Sequence, residues 1–179
     1  MFIAQIGILI CTVLLAVPVI NAVAGIAALV FTIIGIVGLY TAGKEIEGCK
    51  TAFICMIVGF VVSIIGGVLS LIPAVGSTIS SIVQVVGNLI NLLITYYVCK
   101  SVGAVMNQAG HSEIAANGEM VWKISAVCYA IGIILSLLAI IPGLNGVTTI
   151  LTLGVTIATL VAEILYMIFL YKSSKALGA

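Results

Sequence analysis

Six runs of apolar residues, each long enough to form a helix, restrict this sequence to one class of fold. They fall at about 2–17, 20–43, 51–72, 76–99, 121–141 and 147–172. A helix needs roughly 17–25 apolar residues to cross the hydrocarbon core of a bilayer, and each run is near that length. The sequence therefore predicts an all-α integral membrane protein with six transmembrane helices, forming a single domain over residues 1–179.

Composition supports this class and argues against others. The chain is 64% hydrophobic and 6% charged, and a water-soluble domain could not cover its surface with so few charges. The basic residues are six lysines that form no patch or stripe, so we expect no nucleic acid partner. The expected partner is the lipid bilayer.

The connections between the runs alternate between two kinds. Three are uncharged and contain proline, at 17–21, 72–76 and 141–145, where proline ends one helix and can begin the next. The others are charged, at 44–50 and 100–123. This alternation predicts three helical hairpins with proline turns, at about 1–50, 51–110 and 119–179.

All six lysines fall on one side of the membrane in this arrangement, since the tail carries Lys172 and Lys175. The positive-inside rule makes that side cytoplasmic. We therefore expect a multi-pass protein of the cell inner (plasma) membrane with both termini in the cytoplasm. Residues 104–120 are predicted to be a solvated connector with an Asn117-Gly118 turn, a helical turn starting at Ser112, and an exposed His111.

The second and third hairpins resemble each other in sequence. Four residues of the second recur in the third at a constant offset of 73: Lys50, Cys55, Gly59 and Ser63 as Lys123, Cys128, Gly132 and Ser136. This pattern predicts pseudo-repeated hairpins. Small residues spaced three or four apart allow close helix contact in lipid, so these faces are predicted to be packing surfaces.

A polar stripe follows the outgoing helix of each of these two hairpins. Its members are Gln84, Asn88, Asn91 and Thr95 in the second hairpin, and Thr152, Thr156, Thr159 and Glu163 in the third. Spacings of three or four place each set on one helix face, which is predicted to line a common interior pore or cavity. The structural alternative is hydrogen bonding between helices, or of threonine to its own backbone.

Glu163 is the only acidic residue inside a hydrophobic run. An acidic residue at a helix centre costs roughly 2.5–3.5 kcal/mol of insertion free energy, so it is a functional-site hypothesis by default. No basic residue lies at a matching depth in any run. We expect this carboxyl group to be neutral at rest, to line a water-filled cavity, or to meet a cation or a partner subunit, and to be the ion- or proton-responsive group.

The sequence offers no set of residues for catalysis or metal binding. The five cysteines form no CxxC pair and His111 is the only histidine. No nucleophile–base pair or phosphate-binding loop is present either. We expect no enzyme activity, no metal and no cofactor.

The hairpin pattern also resembles a known family. The segments 14–18, 69–73 and 138–142 each end in proline and are followed by a helix containing glycine or threonine. In this respect the chain is similar to the HdeD-type six-span membrane proteins linked to bacterial acid resistance. The resemblance spans nearly the whole chain, implies a six-helix inner-membrane fold, and assigns no catalytic residue.

Two functions are compatible with these patterns. The first is a channel or carrier for a small neutral solute, proton or cation, with Glu163 as the responsive group. The second is a structural or accessory membrane protein that does not transport and assembles through its polar seams, as a homo-oligomer or with a partner membrane protein. A water-accessible cavity at Glu163 would favour the first, and dry packing of the stripe the second.

Overall fold

The part of the chain that the structure describes is almost entirely helical. The computed structural model describes residues 7, 21–69, 72, 76–138 and 145–178. Five helices lie within these ranges: α1 (Asn21–Ala42), α2 (Glu47–Leu69), α3 (Gly76–Gln108), α4 (Ser112–Leu138) and α5 (Asn145–Ala176). The described residues contain no strand. The predicted all-α class is confirmed.

Four segments are long and apolar enough to cross a membrane: Glu47–Leu69, Ile79–Gln108, Ser112–Leu138 and Leu151–Ala176. A shorter apolar segment covers Leu29–Ala42. Many large apolar side chains on these helices are exposed, as lipid-facing residues are. The first predicted helix, apart from Gly7, and the prolines of the three predicted turns lie outside the described residues.

Helices that follow one another in the chain pack side by side, from α1 through to α5. Glycines allow the close approaches, as predicted for the small-residue faces. A Cβ atom placed on Gly59 of α2 would lie 3.0 Å from Ile90 Cγ2 of α3. One placed on Gly132 of α4 would lie 3.2 Å from Asn88 Nδ2 of α3. These glycines bring α2 and α4 onto opposite sides of α3.

The tightest packing lies at the lysine-bearing end of the bundle. All five described helices contribute to one buried cluster there: Leu39, Cys49, Ala52, Val98, Cys99, Val121, Tyr166, Phe169 and Leu170. Phe169 is 1% exposed, and a Cβ on Gly118 of α4 would lie 2.7 Å from its ring. This cluster anchors the helices at one end, which lets them separate around cavities farther along.

Aromatic rings and lysines surround the same end. The Tyr96 and Trp122 rings lie 5.2 Å apart, edge to face. Lys100 Nζ donates a hydrogen bond to the Tyr96 hydroxyl at 3.1 Å, and Lys44 Nζ lies 4.9 Å from the centre of the Tyr40 ring. Tyrosine, tryptophan and lysine are typical of a membrane–water boundary, so this girdle indicates where the helices leave the hydrocarbon.

The prediction of a connector at residues 104–120 is wrong. Helix α3 continues to Gln108 and α4 begins at Ser112, as predicted for the helical turn, so only residues 109–111 are not helical. The predicted Asn117-Gly118 turn lies inside α4, where Gly118 is buried in contact with Phe169. Alanine, methionine and glutamate favour helix in this stretch, and packing on α5 overrides the turn tendency of Asn-Gly.

A glycine cap ends α3 and allows this tight connection. Gly110 has a φ of 83°, in the left-handed region that glycine enters without steric cost. The His111 amide donates to the Met106 carbonyl at 2.8 Å, and the Gly110 amide donates to the Asn107 carbonyl at 3.2 Å. This is the Schellman pattern for a helix C-terminus. His111, exposed as predicted, starts α4 by accepting the Ala115 amide at 3.2 Å.

Candidate functional site

A cavity of about 490 Å³ lies between the helices, beyond the buried cluster. Every described helix contributes to its wall: Leu29 and Thr32 from α1, Phe60 and Ser63 from α2, Asn91 and Thr95 from α3, Ser125 and Tyr129 from α4, and Glu163 and Tyr166 from α5. We call it the central cavity. Residues from all five described helices thus meet around this one space.

A second cavity, of about 230 Å³, lies between α3, α4 and α5, and we call it the side cavity. Gln84 and Asn88 line it from α3, Ser136 lines it from α4, and Thr152, Thr156 and Thr159 line it from α5. The polar faces of α3 and α5 thus meet across this space, with the small residues of α4 between them.

Glu163 and Tyr129 line both cavities. Glu163 is one helical turn before Tyr166, whose side chain belongs to the buried cluster, so its carboxyl group lies where the tight packing ends. Within the described structure this carboxyl group has no ion-pair partner, because the one salt bridge there joins Lys123 to Glu119 at 2.8 Å. Glu163 is thus an acidic group at the junction of two cavities.

The structure places all eight predicted site residues on cavity walls, but divides them between the two cavities. Asn91 and Thr95 line the central cavity, and Glu163 lines both. The other five, Gln84, Asn88, Thr152, Thr156 and Thr159, line the side cavity. The stripe on α3 therefore does not border one continuous wall. Gln84 and Asn88, farther from the lysine-bearing end, line the side cavity opposite α5, and Asn91 and Thr95, nearer to that end, line the central cavity.

Several polar side chains of the stripe form local hydrogen bonds. Such bonds are what the structural alternative predicts for the stripe. Thr156 Oγ1 donates to the Thr152 carbonyl at 2.8 Å, and Thr159 Oγ1 donates to the Val155 carbonyl at 2.9 Å. Ser136 Oγ donates to the Gly132 carbonyl at 2.9 Å and also lies 3.4 Å from Gln84 Oε1 of α3. The bonds to backbone carbonyls use the hydroxyl protons, and the oxygen lone pairs can still accept hydrogen bonds.

Two tyrosines belong to the site that sequence reasoning did not find. The Tyr129 hydroxyl shares a hydrogen bond with Thr95, and the Glu163 carboxyl group is close enough to interact electrostatically with it. The Tyr166 side chain is 6% exposed, and its hydroxyl has no hydrogen-bond partner among the described residues. Tyr129 and Tyr166 do not belong to the polar residues spaced three or four apart, so the sequence pattern did not include them. The only feature that could have identified them is the hydroxyl group, which needs a hydrogen-bond partner when it is buried.

The walls of the two cavities carry few ionisable groups. Among the described residues no three His, Cys, Asp or Glu side chains come together as a ligand set. Glu163 is the only carboxyl group on either wall, and neither wall includes a lysine or histidine. What the arrangement offers is one acidic group, several hydroxyl and amide groups, and aromatic rings.

Fold and site together define a helical membrane protein with cavities between its helices that are partly lined by polar groups. No family model, curated protein or solved structure matches the chain. The similarity to HdeD-type proteins therefore stays an expectation from the hairpin pattern.

Proposed function

We propose that this protein carries or conducts a small neutral solute, proton or cation across the membrane through the two cavities, with Glu163 as the ion- or proton-responsive group. The observation that carries the proposal is the position of Glu163 at the junction of the central and side cavities. An acidic residue is costly in hydrocarbon, and no ion pair in the described structure offsets that cost. A role in binding explains why the cost is tolerated.

The proposal includes the full topology predicted from the sequence. Six spans in three hairpins would bring the outgoing helices around the central cavity, and three of their residues, Thr32, Asn91 and Glu163, line it. The lysine-rich end, with its aromatic girdle, would face the cytoplasm, and the protein would reside in the inner membrane. An acid-stress role, as in HdeD-type proteins, belongs to the same proposal.

A second candidate is a structural or accessory protein held together by polar seams. The 3.4 Å contact between Ser136 Oγ and Gln84 Oε1 favours it, since it joins neighbouring helices directly. The hydroxyl groups of Thr156 and Thr159 also donate to backbone carbonyls of α5, so neither hydroxyl proton needs another acceptor. In this function a second copy or a partner membrane protein would cover the exposed Thr152 and Thr156.

Water access to the threonine face separates the two functions. Thr156 and Ile157 are adjacent in α5 and lie at nearly the same depth in the membrane. Thr156 lines the side cavity, whereas Ile157 is 57% exposed on the outside of the helix bundle. Each is changed to cysteine and treated in proteoliposomes with a hydrophilic, membrane-impermeant thiol reagent. Labelling is measured above that of the unchanged chain, which has its own cysteine at position 128 in the same cavity.

We expect Thr156→Cys to react and Ile157→Cys to stay unlabelled, because only the cavity side of α5 would meet water. Thr152→Cys and Leu153→Cys form a second pair with the same expectation, since Leu153 is 66% exposed on the outer surface. If neither threonine position reacts more than its neighbour, the face is dry and the transport proposal fails in favour of the structural one.

A further inference from the structure

We propose that the central cavity binds a lipophilic monovalent organic cation, an amine or quaternary ammonium with apolar substituents, with its charge at Glu163. This inference rests on the proposed function, since it names the solute class that the pathway takes. It is carried by the coexistence of one carboxyl group and three aromatic rings on the wall of one cavity.

Size is the first argument. The central cavity has a volume of about 490 Å³. Small-molecule pockets in proteins occupy roughly 300–1,000 Å³ and are mostly apolar with a few placed polar groups. Leu29, Met56 and Ile90 supply apolar wall here, while Asn91 and Ser125 supply polar groups. The space suits an organic molecule rather than a single bare ion.

Charge is the second argument. Glu163 carries the only carboxyl group on the wall of the central cavity. No lysine or histidine lines either cavity. A carboxylate in a medium of low dielectric constant needs a positive partner or a proton. A divalent metal would need six or more oxygen ligands and usually several carboxylates. A monovalent cation needs only one carboxylate to balance its charge.

The aromatic rings are the third argument. Phe60 of α2, Tyr129 of α4 and Tyr166 of α5 all line the central cavity with Glu163. The face of an aromatic ring attracts an ammonium group, most strongly when the site is desolvated. Rings on three different helices around one carboxyl group would select an organic cation over a neutral solute of the same shape.

A single carboxyl group also predicts competition with protons, because it can hold either a proton or the cation. The other titratable groups that face it are the phenols of Tyr129 and Tyr166 and the thiol of Cys128. The lining residues of α1, α2 and α3 include no titratable side chain. Cation binding should therefore weaken as the pH falls, and proton release would accompany binding.

The test is equilibrium binding of benzyltrimethylammonium to the purified full-length protein in detergent, with benzyl alcohol as an uncharged aromatic probe. Glu163→Gln is compared with Glu119→Gln, the same change at an exposed residue paired with Lys123 outside both cavities. Fluorescence of Trp122, the only tryptophan, reports whether each variant is folded. Should Glu163→Gln not fold, Phe60→Leu tests the aromatic wall instead.

We expect Glu163→Gln to lose cation affinity by at least about tenfold and to lose its pH dependence, while Glu119→Gln retains both. Phe60→Leu should weaken cation binding and leave benzyl alcohol binding unchanged. Equal cation binding in Glu163→Gln and the unchanged chain would overturn this inference and leave a neutral-solute pathway standing. If neither probe binds and Thr156→Cys is also unlabelled, the inference and the proposed function both fail.

Discussion

Replacing Tyr166 with phenylalanine should stabilise the protein, against the usual effect of a core substitution. The change keeps the ring, which belongs to the buried cluster, and removes only a hydroxyl that has no hydrogen-bond partner among the described residues. A buried polar group without a partner costs about 1–3 kcal/mol of folding free energy. Tyr166→Phe should recover a similar amount, so we expect the free energy of unfolding to rise by about 1–2 kcal/mol.

Tyr129→Phe is the matched control, because it removes the same atom from the same cavity wall. The Tyr129 hydroxyl shares a hydrogen bond with Thr95, which is buried at 7% exposure. Losing that bond should lower the free energy of unfolding by about 0.5–1.5 kcal/mol. The two Tyr→Phe changes are therefore expected to shift stability in opposite directions.

The assay is unfolding in mixed micelles by increasing the fraction of denaturing detergent, followed by Trp122 fluorescence. The Trp122 ring lies 5.2 Å from the Tyr96 ring, so its emission should report separation of α3 and α4. If Tyr166→Phe destabilises the protein as much as Tyr129→Phe does, the Tyr166 hydroxyl has a partner in the membrane. The premise that this hydroxyl is buried without a partner would then be wrong.

Glycine substitutions test the packing in the same assay. Gly66→Ala should destabilise by about 1–3 kcal/mol, because the new Cβ would lie 2.9 Å from Val83 Cγ1, whereas Gly67→Ala, with open space at its Cβ, should be neutral or stabilising. Equal effects would show that α2 does not contact α3 there. Gly110→Ala should cost about 1–2 kcal/mol through its φ of 83°, and Gly103→Ala, helical with ordinary contacts, should not. A harmless Gly110→Ala would argue against the Schellman cap.

Hydrophobic length was sufficient to predict the four described helices that are long and apolar enough to cross a bilayer, but not where they end. Lys100 and Lys123 mark the edge of the apolar runs, and the residues between them suggested a loop. The chain instead stays helical on both sides of residues 109–111, and Gly118 packs against Phe169. Such contacts depend on the distance between helices, which composition does not contain.

The candidate site was likewise predicted only in part from the sequence. Spacings of three and four were enough to predict that Asn91, Thr95 and Glu163 share an interior surface, because polar groups in lipid face other helices or water. They did not predict that the stripes of α3 and α5 border two cavities. Tyr129 and Tyr166 were missed because their position follows from how α4 and α5 converge, and an aromatic residue in an apolar run is usually a packing residue.

The central claim is that Glu163 is an ion- or proton-responsive group in contact with water, and infrared difference spectroscopy in lipid tests it most directly. Glu163 is the only carboxyl group within the hydrophobic runs, so subtracting the spectrum of Glu163→Gln isolates its carboxyl band. We predict that this band changes with bulk pH and shifts promptly when the sample is moved to D₂O. A band that responds to neither would show a dry, structural carboxyl group and would contradict the proposed function.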